Sequence, residues 1–164
     1  MASLIAECCE IKIHHANPVK IVADGGMKDY RDIIMALALG ADYVMIGSIF
    51  AKSIESAAPN YWGNIKVGRA LGEIIYENGF NIHKEFRGMS TKQAQKALGN
   101  KVIKTSEGVV RKLKVEYTLQ QWTTNFEDYL RSAMSYCNTS TLANFIGQVD
   151  TVFISSNALN RFKK

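Results

Sequence analysis

Lys20-Ile21-Val22-Ala23-Asp24-Gly25-Gly26 is an apolar run that stops on a carboxylate and two glycines, and Tyr43-Val44-Met45-Ile46-Gly47-Ser48 stops in a similar way. Between them, Asp29 to Leu39 has the length of a helix and is closed by Gly40. This order predicts strand, glycine turn, helix, strand, glycine turn: a parallel βαβ unit with a glycine-lined break at the carboxyl end of both strands. Glycines there let backbone N–H groups approach an anion, and the helix that follows adds the positive end of its dipole. Two such turns side by side predict a phosphate cradle. The β-branched run Val19, Ile21 and Val22, opened by Pro18, predicts a first strand buried on both faces, as in a parallel sheet.

The 164 residues are 47% hydrophobic and 21% charged, the balance of an ordinary globular protein able to bury one core. There is no apolar run of about 18 residues, so no transmembrane helix is expected. The first residues, Met1 to Glu7, lack the basic and long apolar parts of a signal peptide, and a cytoplasmic location is expected. Cys8 and Cys9 are adjacent and poor disulfide partners. With Cys137 they read as reduced thiols, and no His/Cys spacing predicts a metal. His14, His15 and His83 read as surface or helix-end residues.

The net charge of +5 is unevenly placed. From Lys84 to Lys114 there are nine basic residues against only Glu85 and Glu107. Such a stretch can be a solvated loop, or can attract the phosphates of a nucleotide or cofactor, or nucleic acid without specificity. Phe86 is its one aromatic residue, which disfavours a stacking surface for single strands.

Three regions follow. Residues 1–56 hold a helix from Ala2 to about His14, the βαβ unit with Asp29 as helix cap, a sheet-facing stripe of Ile33, Ile34, Leu37 and Ala38, and a short helix from Ile49 to Ser56. Residues 57–120 read as a long excursion: a helix around Ile65 to Glu77, a basic flap, then Val109 to Tyr117, whose alternation predicts a hairpin or edge strand. Long irregular loops in compact domains are usually functional. Residues 121–164 resume order, with a helix from Asn125 to Tyr136, a shorter one from Ser140 to Ile146 capped by Ser140 or Thr139, and Thr151 to Ile154 as a short strand or extended tail.

The βαβ unit matches the last two strands of a (β/α)8 barrel, where the loops after those strands and a short extra helix bind phosphate. Ile21-Val22-Ala23-Asp24-Gly25-Gly26, Ala36 to Ser48, Arg87-Gly88-Met89-Ser90 and Ser106-Glu107-Gly108 resemble the inosine-monophosphate dehydrogenase/GMP reductase family. The resemblance runs from about Ala2 to Thr151. It implies an α/β fold forming the C-terminal portion of a (β/α)8 TIM barrel with a basic flap insertion. By it, Asp24 binds the ribose hydroxyls, and Gly25, Gly26, Gly47 and Ser48 hold the 5′-phosphate. Gly88, Met89 and Ser90 read the purine base, Glu107 relays a proton in catalysis, and Lys104 with Ser90 lies near the cofactor. A carboxylate in that role needs a tuned pKa, obtainable by desolvation. Without the resemblance, Asp24 can simply cap a turn, Glu107 can be a turn residue, and Met89 and Phe86 can be packing anchors.

The family's nucleophilic cysteine sits after the sixth strand, and neither Cys8 nor Cys9 matches it. Two βα units cannot close a barrel, and a complete one takes about 250 residues. An exposed edge and an apolar sheet face are therefore expected, and turnover by this chain alone is not. Dehydrogenases of the family carry an Arg-Tyr pair in the flap for the hydrolytic water. Between Met89 and Glu107 this chain has neither residue. The resemblance therefore implies a GMP reductase that converts GMP to IMP and ammonia with NADPH, functioning as a homo-oligomer, commonly a tetramer. The alternatives are an IMP dehydrogenase using NAD and a noncatalytic purine-nucleotide-binding remnant; a basic protein binding nucleic acid is a third class, but neither nucleic acid nor a membrane is expected as a partner. A separate chain supplying the earlier barrel strands is a further possibility.

Overall fold

The computed structural model describes residues 2–14, 16, 19–99, 108, 110–152 and 154–162. In chain order the elements are α1 (Ala2–Ile13), β1 (Val22–Asp24), α2 (Tyr30–Ala38), β2 (Tyr43–Met45), α3 (Ser48–Ala51), β3 (Asn60–Trp62), β4 (Ile65–Val67), α4 (Arg69–Glu77), β5 (His83–Arg87), α5 (Lys92–Ala97), β6 (Val110–Lys114), α6 (Leu119–Tyr136), α7 (Leu142–Phe145) and α8 (Ser156–Phe162). The chain is mixed α/β and divides into two compact units. Unit one is Met1–Met45 with Glu127–Lys164, and unit two is Ile46–Phe126. Among the described residues, no helix is long and apolar enough to cross a membrane.

In unit one, β1 and β2 pair in parallel, with Val22 opposite Tyr43 and Asp24 opposite Met45. The helix between them starts where expected: the Asp29 carboxylate accepts from the backbone N–H of Arg31 at 3.0 Å and of Asp32 at 3.2 Å. Ile5 and Cys9 from α1, Ala23 from β1, and Ile33, Ala36 and Leu37 from α2 are buried, together with Phe145 of α7. Ile34 and Ala38 are only half-buried, so the inward stripe of α2 is narrower than its sequence pattern. The expectation of a first strand buried on both faces fails. The strand is three residues long, and only Ala23 is buried. Val22, Tyr43 and Met45 remain 48%, 59% and 55% exposed, because a two-stranded sheet leaves one face without a covering layer among the described residues.

Unit two is a four-stranded antiparallel sheet in the order β4-β3-β5-β6. Its core gathers Ile54, Ile75, Ile82 and Val115, with Val67 and Tyr76 packed against them. Here the sequence reading is corrected in detail. Residues 65–77 are not one helix but β4 followed by α4, because Gly63 and Asn64 make a two-residue hairpin turn, with Gly63 at φ +60°. The short helix after Gly47 ends at Ala51 rather than Ser56, because the chain turns to meet the segment before α6: Ile54 N–H donates to Tyr117 O and Glu116 N–H to Lys52 O. The extended Val109 to Tyr117 stretch contains β6, which lies at an edge of the sheet.

α6 begins at Leu119, six residues earlier than expected. Thr118 and Gln121 form a reciprocal cap: Gln121 N–H donates to Thr118 Oγ1 at 3.1 Å, and Thr118 N–H to Gln121 Oε1 at 2.9 Å. Thr141 caps α7, in place of Ser140 or Thr139, by accepting from Asn144 N–H. Thr151, Val152 and Ile154 form no strand.

Candidate functional site

In unit one, β1 and β2 end level, and Asp24 is the last residue of its strand. Gly25 and Gly26 follow with φ of +96° and +77°, two consecutive left-handed residues that a side chain would strain. Asp24 is exposed, as are both glycines, so the carboxylate and the turn are open to a ligand. The turn opens onto a small cleft of about 210 Å³ lined by Gly25, Gly26, Met27, Asp32 and Ala36.

Unit two holds Gly47, Ser48, Gly88, Met89 and Ser90. Gly47 precedes α3 with φ −108°, an ordinary backbone angle, and a Cβ there would lie 3.8 Å from the Phe86 ring. Neither strain nor crowding within the unit therefore demands glycine at this position. Glycine there leaves the backbone open to close approach from outside, as an anion-binding turn requires. Three contacts brace α3: Tyr117 hydroxyl donates to Ile49 O at 2.7 Å, Ser53 bridges Tyr117, and Lys52 pairs with Glu116 at 2.9 Å.

The loop from Gly88 to Ser90 leaves the end of β5 and is held from behind. Thr91 donates its hydroxyl to Gly88 O at 2.8 Å, accepts from Ala94 N–H as the cap of α5, and is itself buried. Gln95, also buried, donates to Ser90 O at 2.9 Å. Met89 is 70% exposed, so it is not a packing anchor within this chain, whereas Phe86 does pack, against Gly47. A fixed loop presenting exposed Met89 and Ser90 suits a surface on which a flat base can lie.

Gly47 and Met89 share a cleft of about 840 Å³ with Ser53, Ser56, Phe86 and Arg87. That volume lies in the range of small-molecule sites. The structure thus brings Gly47 and Met89 around one space. Glu107 and Lys104, expected as catalytic and cofactor residues, lie outside the described residues. Arg87 is exposed on the cleft wall, and the sequence motif alone assigns it no role. Its position directly before Gly88 was the available signal.

Behind the cleft is Lys84, 1% exposed. Its ammonium donates to Ser56 O at 2.7 Å and Ala58 O at 3.4 Å, tying down the segment that forms the cleft's other wall. Burial, and secondarily the charge of Arg69, push its pKa down. Among the described residues, no three His, Cys, Asp or Glu side chains converge to hold a metal.

The family model described as the IMP dehydrogenase / GMP reductase domain matches residues 2–162. An inosine-5′-monophosphate dehydrogenase of Chlorobaculum tepidum is 31% identical over 144 residues, covering 86% of this chain and 28% of that protein. A GMP reductase of Oceanobacillus iheyensis is 36% identical over 142 residues, covering 85% of this chain and 36% of that protein. A GMP reductase of Streptococcus pneumoniae is 34% identical over 140 residues, with 85% and 36% covered. The chain therefore spans about a third of the length of these relatives. The motifs that carry the resemblance and the match along nearly the whole chain agree: this chain belongs to the IMP dehydrogenase/GMP reductase family.

Proposed function

We propose that this chain is the nucleotide-holding part of a GMP reductase, an enzyme that reductively deaminates GMP to IMP and ammonia with NADPH. In this reading the parallel pair β1–β2 with its helices forms the last two βα units of a (β/α)8 barrel. Residues 57–120 are an inserted flap, and residues 121–164 supply C-terminal helices. The exposed apolar face of the two-stranded sheet supports this, since such a face needs further strands to cover it. Those strands, and a tetrameric assembly in the cytoplasm, belong to the same proposal, whether they come from the same polypeptide or a separate chain.

The observation that carries the reading is Gly47, whose position is open and unstrained for a side chain and yet bears none. Asp24 accepts two ribose hydroxyl hydrogen bonds, and Gly25, Gly26, Gly47 and Ser48 donate to the 5′-phosphate. The main chain of Gly88, Met89 and Ser90 reads the base. Glu107 delivers a proton to the departing amine as its bond to the purine carbon breaks. Bound NADPH supplies the hydride that takes the amine's place, and the cleft of about 840 Å³ has room for a nucleotide-sized group. Ser90 and Lys104 are assigned to the cofactor side. Turnover needs a nucleophile that matches neither Cys8 nor Cys9, so this chain alone binds nucleotide without reaction. The similarity to inosine-5′-monophosphate dehydrogenase at 31% identity supports a second reading, oxidation of IMP with NAD.

Calorimetric titration of the chain with GMP and IMP tests the site. Saturable binding is expected, with Asp24→Ala weakening it about tenfold or more through the loss of one or two charge-assisted hydrogen bonds, and Gly47→Ala weakening it about as much because its Cβ blocks the close approach of the phosphate. Gly47→Ala should leave the melting temperature unchanged. Unaltered affinity in both variants refutes the site, and GMP-dependent NADPH oxidation by the purified chain refutes its inactivity.

A further inference from the structure

Alternate residues of an extended strand share a face. Lys84 and Phe86 of β5, with Ile82 just before the strand, therefore lie on one side of the sheet, and Ile82 belongs to the core cluster of unit two. The pattern calls for an apolar residue between Ile82 and Phe86, yet the chain places an ammonium there. Lys84 is buried, and among the described residues it is in no ion pair. Its acceptors are main-chain oxygens, Ser56 O at 2.7 Å and Ala58 O at 3.4 Å.

A buried charge without a carboxylate partner is costly, and an apolar side chain of similar volume often serves a fold as well or better. The charged groups that act on Lys84 are Arg69 of α4, which opposes its ionisation, and Glu73 of α4 and Glu55 after α3, which favour it. None is devoted to it. Arg69 and Glu73 pair with each other at 2.9 Å, and the Glu55 carboxylate accepts from Leu119 N–H at 2.9 Å. Packing alone therefore gives no reason for the ammonium.

The cleft does give one. Ser56 to Pro59 line it, and Lys84 stands behind them. The described side chains on its walls carry two carboxylates, Glu55 and Glu85, against the one guanidinium of Arg87. That balance disfavours an anion. Lys84 restores neutrality from inside the wall, where a low dielectric carries its field further than that of a solvated lysine. It also engages two carbonyl oxygens of the wall, so that their negative ends face the ammonium rather than a bound phosphate.

We propose that Lys84 is a positioning and specificity-determining residue, whose buried ammonium makes the cleft prefer a phosphorylated nucleoside to the same nucleoside without phosphate. This role rests on the reading of the cleft as a nucleotide site. It is exerted through the wall, without contact between Lys84 and the ligand.

Titration of the full chain with IMP and with inosine, which differ by the phosphate alone, tests it. Lys84→Met keeps the length of the side chain and removes the charge. It should weaken IMP binding about tenfold or more and change inosine binding about twofold or less. A merely loosened wall would weaken both ligands alike. The wild-type chain gives a second reading that depends on no variant. With its lysines labelled with carbon-13 at Cε, the Lys84 resonance should titrate at higher pH with IMP bound than with inosine bound, because a nearby dianion favours the ammonium. Unchanged IMP affinity in Lys84→Met, equal loss of both ligands, or one titration midpoint with either ligand overturns this role and leaves the nucleotide site standing. Failure of the wild-type chain to bind IMP refutes the site itself, and the role of Lys84 with it.

Discussion

Asp42 accepts hydrogen bonds from Lys12 Nζ at 2.6 Å, from Lys20 Nζ at 2.9 Å and from the backbone N–H of Ile21 at 2.9 Å, joining α1 and the residues before β1 to the start of β2. Burial pushes its carboxyl up, but the Lys12, Ile21 and Lys20 hydrogen bonds outweigh that and hold it well below the usual carboxylate range. A depressed value means that the ionised form is favoured by folding. This contribution is complete above the unfolded value near 4, and drains away as pH falls through the folded value. Asp42→Asn should cost about 1–2 kcal/mol at neutral pH, the exposed Lys20 adding little, and should flatten the loss of stability below about pH 4 in urea titrations. Cooperative unfolding with an unchanged acid limb would disprove it. Residues such as Asp24, Gly25 and Gly26 were legible from sequence because their chemistry is local: consecutive residues make the turn. Asp42 and Lys84 were not, since their partners lie 30 and 28 residues away and nothing in the order of residues brings them together.

Elements were legible where one signal dominated. The Asp29 cap and the spacing of Ile33 and Leu37 located α2, and the strand alternation located β6. The start of α6 and the β3–β4 hairpin were also written in the chain, as Thr118-Leu119-Gln120-Gln121 and as Gly63-Asn64, but each is a two- or four-residue signal beside longer apolar runs. The docking of α7 is different. Gly147, at φ +65°, sits against the chain after α2, where a Cβ would come within 3.0 Å of Gly40 Cα, and its N–H donates to Leu37 O at 3.2 Å. Both backbones must part to admit a methyl group. Gly147→Ala should therefore destabilise the chain by about 2 kcal/mol or more, read as a lower midpoint in denaturant. An unchanged midpoint would show that the contact yields without cost. Such a requirement belongs to two distant segments at once, and no periodicity encodes it.

At the scale of the molecule, unit two is continuous in sequence while unit one is assembled from residues 1–45 and 127–164, with α6 shared between them. Exposed Val22, Tyr43 and Met45 sit in unit one, whereas the cluster of Ile54, Ile75, Ile82 and Val115 is complete within residues 46–126. Contacts closing over short sequence distances form sooner than those that must first close a long loop. Pulse-labelling hydrogen exchange during refolding should protect the amides of Ile82 and Val115 before those of Ile33 and Ala36, and the reverse order would contradict this. The split also bears on biosynthesis. A ribosome releases residues 46–126 with the partners of the Ile54, Ile75, Ile82 and Val115 cluster already made, while residues 1–45 must wait for Phe145 and Gly147 to emerge. During that interval the stretch carrying Asp24 and its two glycines is an unfinished body, open to chaperones and proteases, and its turn sets only after the sheet within residues 46–126 has closed.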